Sequence, residues 1–340
     1  MRAKVKKETL SAKLIEGICY LDFNCKFLNY HQKSYTFAPQ NSNMTSSNRA
    51  KGYTLAIIGS MCYGLNPLFA LPLYDKGVDP VSVLLYRYAF AVLLIGLLLI
   101  IKGEGFKIKR KEFLMSMAMG LFFALSSLFL FLSFKEMDAG IASTILFTYP
   151  LFVVLMMAAF FKEKTGIATW ISMLCAGSGI ALLYEGDGGT LSTYGIILVL
   201  LSAVTYAVYL VGVNRSVLHS LPTLKLAFFA TLSGAVLFLI ISILGSGIAR
   251  LTTWEMWGNA FGLSFFTTFL SLALVTSSIH IIGSTPASII GALEPITALV
   301  VSLTVFGGSL TVGNCIGIAL IITAVVVIVK FGKKQQNLQQ

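Results

Sequence analysis

Apolar residues run along this chain in ten long stretches separated by short polar turns. The stretches cover residues 52–71, 80–101, 113–134, 139–161, 165–183, 192–213, 224–243, 257–279, 285–305 and 310–329. Each has about the 20 residues that a helix needs to cross the ~30 Å hydrocarbon core of a membrane. The pattern predicts an all-α integral membrane protein with ten transmembrane helices and no room for a soluble catalytic domain.

Composition agrees with a multi-pass membrane protein. The chain is 56% hydrophobic and 11% charged, with a mean hydropathy of +0.84, which is more apolar surface than a soluble protein can bury. The formal charge is +11, but its basic residues lie in a tail and in short loops, so we expect no nucleic-acid partner. With ten spans both termini share one side, and that side carries 21 Lys and Arg against 3 on the other. The positive-inside rule then predicts cytoplasmic termini in a cell membrane, either a plasma membrane or a bacterial inner membrane.

The two ends of the chain are polar. Residues 1–50 contain no apolar core of a signal peptide, and we expect them to be mostly disordered, with Met44 as an alternative translation start. Residues 331–340 form a second polar tail. The five cysteines include no CxxC pair and the three histidines have no ligand spacing, so we predict neither a disulfide nor a metal or other cofactor.

Glu294 stands near the centre of the ninth apolar stretch. A carboxylate at that depth costs on the order of 2.5 kcal/mol or more if it faces lipid, so it should face the bundle interior or a water-filled cavity. Pro295 beside it lacks an N–H and disturbs the preceding turn, which frees carbonyl groups at the same depth. Glu294 is therefore either a hydrogen-bond strut between helices or a site for substrate or protons.

The fourth and ninth stretches resemble each other at an offset of 145 residues. The identities are Ala142 with Ala287, Ser143 with Ser288, Ile145 with Ile290, Pro150 with Pro295, and Phe161 with Phe306. Because five spans is an odd number, the second half must enter the membrane inverted relative to the first. Inverted repeats with matched proline breaks are typical of secondary transporters, whose substrate site lies near the midplane between the halves.

Two further polar residues interrupt the apolar stretches. Arg87 lies in the second stretch, where it either snorkels outward or meets Glu294 or an anionic group of a substrate. Asn66, which precedes Pro67 in the first stretch, either joins helices by hydrogen bonds or lines a cavity.

Tyrosines recur near the same depth. Tyr63 and Tyr206 are equivalent at an offset of 143, Tyr209 follows one turn later, and Tyr149 is the counterpart of Glu294. They either pack between helices or stack on a substrate. In the last stretch, the small residues of the segment 313–317 permit close helix packing, either within the bundle or in a homodimer.

The chain resembles the drug/metabolite transporter superfamily, specifically its EamA-type members. The residues that carry the resemblance are Ala139-Gly140-Ile141-Ala142-Ser143 leading to Pro150, Phe161-Lys162-Glu163, Gly177-x-Gly179, and Pro286-Ala287-Ser288 leading to Glu294-Pro295. Gly307-Gly308 departs from the family, which usually has a second acid there. The resemblance implies two five-helix repeats, at 52–184 and 192–330, and export of small metabolites or drugs.

The sequence thus predicts a secondary transporter that works by alternating access. No Walker A pattern is present, so ATP does not drive it directly. A carboxyl group in an apolar setting can exchange protons near neutral pH, which suits proton coupling. A channel or sensor is the alternative. An intramembrane enzyme is not expected, because Asp75 and Asp187 fall in loops and Tyr184 replaces the first glycine of a GxGD motif.

Overall fold

The computed structural model of the chain describes residues 46–162, 167–186, 192–245, 247–282, 287, 290–307 and 311–336. The predictions for the N-terminal tail up to residue 45, for Glu163, Asp187 and Ser288, and for the last four residues lie outside this range.

The described chain is built of α-helices. In chain order they are α1 Ser46–Gly64, α2 Asn66–Asp75, α3 Pro80–Ile101, α4 Arg110–Ser133, α5 Ala139–Leu146, α6 Tyr149–Phe161, α7 Ile167–Gly186, α8 Thr193–Arg215, α9 Thr223–Leu244, α10 Trp254–Ser264, α11 Ser271–Ile282, α12 Leu293–Val305 and α13 Val312–Gln336. A short 3₁₀ helix, Val217–Ser220, precedes α9, and a π-helical segment, Phe265–Leu270, joins α10 to α11.

The helical membrane architecture is confirmed. In the described part, seven helical stretches are long and apolar enough to cross a membrane. They span Ala50–Asp75, Pro80–Ile101, Arg110–Ser133, Ala139–Phe161, Thr193–Arg215, Thr223–Leu244 and Trp254–Ile279. Three shorter apolar helices, Trp170–Leu182, Leu293–Val305 and Val312–Val327, lie at the positions of the fifth, ninth and tenth predicted spans. The count of ten spans stays a prediction.

Polar caps move some helix starts away from the predicted positions. The Glu112 carboxylate accepts a hydrogen bond from the Lys109 backbone N–H at 2.9 Å, so α4 begins at residue 110, before the predicted 113. The Thr253 hydroxyl caps α10, which begins at residue 254 where we predicted 257. The predicted helix starts lie too late in the chain because the apolar stretches do not include the capping residues, whose side chains are polar.

Helices five predicted spans apart pack side by side, as α3 on α9, α5 on α12 and α7 on α13. The first of these pairs is antiparallel, because Gly96 of α3 lies against Phe228 near the start of α9, while Tyr88 contacts Phe238 farther along. The α7 and α13 helices are also antiparallel, since Ala176 packs near Ala324. Farther along α7, Gly179 lies close to Gly317, which precedes Ala324 in α13. A Cβ added to Gly179 would lie 2.7 Å from the Gly317 carbonyl oxygen.

The main apolar core lies toward one end of the bundle. This end of the bundle is formed by the turns at 76–79, 134–138 and 247–253, and we call it the Asp138 end. The opposite end has the turns at 102–109 and 216–222, and we call it the Lys102 end. The core includes the fully buried residues Leu73, Phe131 and Ile141. A hydrogen bond also joins a helix to a turn at the Asp138 end: the Tyr86 hydroxyl of α3 donates to the Ala249 carbonyl oxygen at 2.9 Å.

Candidate functional site

Three helix interruptions meet inside the bundle. The first span breaks at Leu65 between α1 and α2, with Pro67 in the first turn of α2. The fourth span breaks between α5 and α6, where Pro150 occupies the same place in α6. Pro295 lies in the first turn of α12. Proline suits these positions because the first turn of a helix has no backbone acceptor for its N–H groups.

The interruptions surround a cavity of about 210 Å³. All seven residues that the sequence marked for substrate or coupling line it, namely Tyr63, Asn66, Arg87, Tyr149, Tyr206, Tyr209 and Glu294. Among the described residues on its wall, Arg87 is the one basic residue and Glu294 the one acidic residue. The cavity therefore combines a mainly apolar surface with one cation and one acid.

Glu294 lies in the first turn of α12 and is half-buried. Its backbone N–H donates to the Gly291 carbonyl oxygen at 2.9 Å, but its carboxylate has no hydrogen-bond partner within the described residues. A strut between helices would need such a partner. The neighbouring helix α1 passes very close, since a Cβ added to Gly64 would lie 2.5 Å from the Glu294 carbonyl oxygen.

Arg87 is buried, with 2% of its surface exposed, so it does not snorkel outward. Its Nε–H donates to the Thr268 hydroxyl at 3.0 Å, and its guanidinium carbon lies 5.4 Å from the centre of the Phe131 ring. Arg87 also interacts electrostatically with Tyr63, which lines the same cavity. No ion pair joins Arg87 to Glu294 or to another acid in the part of the chain that the structure describes. Both side chains therefore line the cavity without forming an ion pair with each other.

Asn66 begins α2 at the first helix break and is 4% exposed. Its amide nitrogen donates to the Tyr63 carbonyl oxygen at 2.8 Å. Its side-chain oxygen has no donor among the described residues, although it is buried. A buried acceptor of this kind is costly unless a ligand or water supplies the donor.

Aromatic rings form one side of the cavity. Tyr149 meets Tyr206 edge to face with ring centres 4.7 Å apart, and Tyr206 stacks on Tyr209 at 6.0 Å. Phe123 lies 5.2 Å from Tyr209. Such a cluster packs the helices together and also offers flat apolar faces to a bound molecule.

The eighth span contributes hydroxyl groups that the sequence pattern did not predict. Thr267 and Thr268 line the cavity from the π-helical segment, and Ser271 follows them at the start of α11. π-Helical turns occur often at functional sites. The adjacent threonines in an otherwise aromatic run were the one signal in the sequence. Hydroxyl groups are common in apolar spans, however, and a π-helical turn leaves no pattern in the sequence.

One small residue of the last span packs inside the bundle. Gly317 of α13 lies against Gly179 of α7, where a Cβ on Gly179 would meet the Gly317 carbonyl oxygen, which accounts for the glycine at position 179. A homodimer stays a prediction. Among the described residues, no group of three His, Cys, Asp or Glu side chains could hold a metal ion.

Comparison with known proteins identifies relatives over nearly the whole chain. The model of the EamA-like transporter family matches residues 50–185 and again residues 193–330. A protein of Bacillus subtilis (strain 168) named uncharacterized transporter YcbK is 28% identical, over 80% of this chain and 89% of the relative. Another from the same organism, named uncharacterized transporter YxxF, is 25% identical over 79% of this chain and 86% of its own. A solved structure, titled only as a crystal structure of a protein, shares the fold with a TM-score of 0.60 at 18% identity, over 86% of this chain and 99% of that one.

Proposed function

Because the chain belongs to the EamA-like transporter family, we propose that it is a secondary transporter that works by alternating access around the central cavity. The observation that carries this proposal is the setting of Glu294, whose carboxylate lacks a described partner on the wall of the cavity. Discontinuous helices around a midplane site are characteristic of secondary transporters.

The two five-helix segments, 52–184 and 192–330, are proposed to form inverted repeats, ten spans in all. The duplicated family match supports the repeat. The antiparallel packing of α3 on α9 and of α7 on α13 supports the inversion, because counterpart helices must run in opposite directions if one half is inverted. Movement of one repeat against the other would then expose the cavity at each end of the bundle in turn.

The substrate class follows from the size of the cavity. A volume of about 210 Å³ is below the ~300–1,000 Å³ of pockets that hold drug-sized molecules. Small metabolites therefore fit better than drugs. We place the Lys102 end on the cytoplasmic side of a cell membrane, because it carries the basic turn between α3 and α4. Export from the cytoplasm agrees with a cavity that the apolar core separates from the Asp138 end.

Proton coupling is assigned to Glu294. A half-buried carboxyl group on an apolar wall loses much of the hydration that stabilises its charge, so it can take up and release protons as its exposure to water changes. In the proposed cycle, Glu294 is charged when the cavity is wet and protonated when substrate and surrounding helices exclude water. The proton gradient then drives the opening of the cavity in one direction.

The test compares cells that overproduce the wild type, Glu294→Gln, or Glu255→Gln, which makes the same chemical change at an exposed position outside the cavity. Untargeted mass spectrometry of medium and cell contents should show one metabolite class moving outward with the wild type and with Glu255→Gln. We expect no such movement with Glu294→Gln at equal protein levels. Unchanged, still pH-dependent export by Glu294→Gln would refute the role of this residue.

A channel is the alternative that this experiment must separate. Reconstituted in a planar bilayer, a channel conducts ions at rates far above those of a transporter. The packed core at the Asp138 end predicts no such conductance for the wild type. Steady conductance together with unchanged metabolite profiles would favour the channel.

A further inference from the structure

The charge of Arg87 has no neutralising group in the described part of the protein. Its partners there are neutral: the Thr268 hydroxyl at 3.0 Å and the face of Phe131. A guanidinium carries five N–H donors, and the Nε–H accounts for one of them. A buried cation is expensive unless an anion or several hydrogen bonds compensate it. The site is therefore incomplete without a further acceptor.

The second half of the protein shows that the fold itself does not need a cation at this position. Helices α3 and α9 each have 22 residues, beginning at Pro80 and Thr223, so the eighth residue of each is Arg87 and Ala230. Both line the cavity and both are 2% exposed. Because alanine fills the equivalent place in a helix of the same length, packing alone does not explain the arginine.

Arg87 is also held in a defined orientation. Thr268 lies in the middle of the π-helical segment, and its hydroxyl accepts the Nε–H. This bond fixes the plane of the guanidinium, and Phe131 supports it from the side at 5.4 Å. A fixed guanidinium plane presents its remaining N–H groups as a fork, which matches the two oxygens of a carboxylate.

We propose that Arg87 is the anion-binding residue of the cavity and that the transported compound carries a carboxylate group attached to a small apolar or aromatic body. The body lies against the rings of Tyr149, Tyr206 and Tyr209, and the donor that Asn66 Oδ1 lacks comes from a polar group of the same compound or from a water molecule bound with it. This inference rests on the proposed transport function, since it specifies what that cavity carries.

Arg87 and Glu294 form no ion pair among the described residues, so the carboxylate of Glu294 does not occupy the Arg87 guanidinium. A substrate carboxylate can therefore bind at Arg87. The arrangement assigns substrate recognition to Arg87 and leaves Glu294 for coupling.

The test measures binding to the purified full-length protein in detergent, by the concentration dependence of its thermal stabilisation. The probes are acetate, isovalerate, benzoate and phenylacetate, each paired with its neutral amide. We expect one or more carboxylates to stabilise the wild type and the matching amides to have no effect. Arg87→Gln should weaken carboxylate binding on the order of 100-fold. Arg87→Lys, which keeps the charge but loses the fork, should weaken it about tenfold.

Two further variants separate recognition from folding and from general electrostatics. Thr268→Val keeps the charge and removes the acceptor that orients it, so it should weaken carboxylate binding without abolishing it. Arg250→Gln removes an exposed arginine outside the cavity and should bind as the wild type does. If Arg87→Gln does not fold, Arg87→Lys and Thr268→Val carry the test.

Several outcomes would overturn the proposal. These are equal stabilisation by a carboxylate and its amide, wild-type affinity in the Arg87 and Thr268 variants, or no stabilisation by any of the four carboxylates. Failure of the transporter proposal gives a different result, because binding is measured without transport. Carboxylate binding that depends on Arg87 but produces no flux in proteoliposomes would refute transport and leave the binding site. Flux of neutral compounds that is independent of Arg87 would support transport and refute the carboxylate site at Arg87.

Discussion

One carboxylate ties the two halves of the bundle together at the Asp138 end. Asp138 caps α5, where one oxygen accepts hydrogen bonds from the backbone N–H groups of Gly140 at 2.8 Å and Ile141 at 3.0 Å. Its other oxygen accepts a short hydrogen bond from the Ser302 hydroxyl of α12. Ser302 is 1% exposed, so this bond is shielded from water. In the proposed alternating-access cycle, opening of the cavity at this end separates α5 from α12, and the bond opposes that separation.

Ser302→Ala removes this bond and leaves the cap on α5 intact. A hydrogen bond to a charged group contributes about 1.5–3 kcal/mol. Because the bond exists only while the Asp138 end is closed, its loss should shift the equilibrium toward the open state by the same free energy. That corresponds to a change of ~10–150-fold in the ratio of open to closed protein.

The assay follows the accessibility of one cavity residue. Ser143 lines the cavity, and Ser143→Cys, in a protein without other cysteines, provides a thiol of nearly the same shape. A membrane-impermeant maleimide is added to each face of oriented vesicles in turn. From the face of the Asp138 end, Ser302→Ala should raise the labelling rate within the calculated range.

The matched control is Thr304→Ala on the same helix, because the Thr304 hydroxyl bonds only to the Val300 carbonyl oxygen of α12 at 2.7 Å among the described residues. It should leave the labelling rate unchanged. If Ser302→Ala and Thr304→Ala label equally, the bond to Asp138 does not control opening and the reasoning fails.

Two further predictions concern stability, measured by thermal denaturation of the purified protein. Gly64→Val should lower the free energy of unfolding by about 1–3 kcal/mol, because its Cβ would lie 2.5 Å from the Glu294 carbonyl oxygen. Gly177→Val, where nothing lies within 4 Å of an added Cβ, is its control, and equal losses would contradict the packing argument. Glu255→Gln breaks the 3.0 Å ion pair with Lys76, whose side chains are 61% and 45% exposed, and should change stability by less than about 1 kcal/mol. A loss well above that value would mean that the pair is not a simple surface contact.

The residues of the cavity were predictable because polar groups are rare in membrane spans. Glu294, Arg87 and Asn66 each interrupt an apolar run, and each is too costly to face lipid. Such residues must turn toward one another or toward a cavity, and all three line the same one. Their roles in transport stay predictions.

The local backbone was less predictable. Pro72 lies inside α2 without ending it, although Pro67 and Pro150 stand at helix breaks. Neighbouring helices in a bundle can compensate a missing backbone hydrogen bond, so the effect of a proline depends on contacts that the sequence does not display. The same holds for the π-helical segment that places Thr268 beside Arg87.

The bond between Asp138 and Ser302 has consequences for the direction of transport. The offset of 145 residues that aligns Pro150 with Pro295 places Gly283 and Met157 at the counterpart positions. Those side chains cannot form a hydrogen bond between a hydroxyl and a carboxylate. The bond therefore favours closure at the Asp138 end and has no counterpart of the same kind at the Lys102 end. In the proposed orientation that end faces outward. The cavity of the resting protein is then accessible from the cytoplasmic side, where an exporter binds its substrate. Outward opening must then be driven by the substrate or by the proton, because one of them has to offset the lost bond.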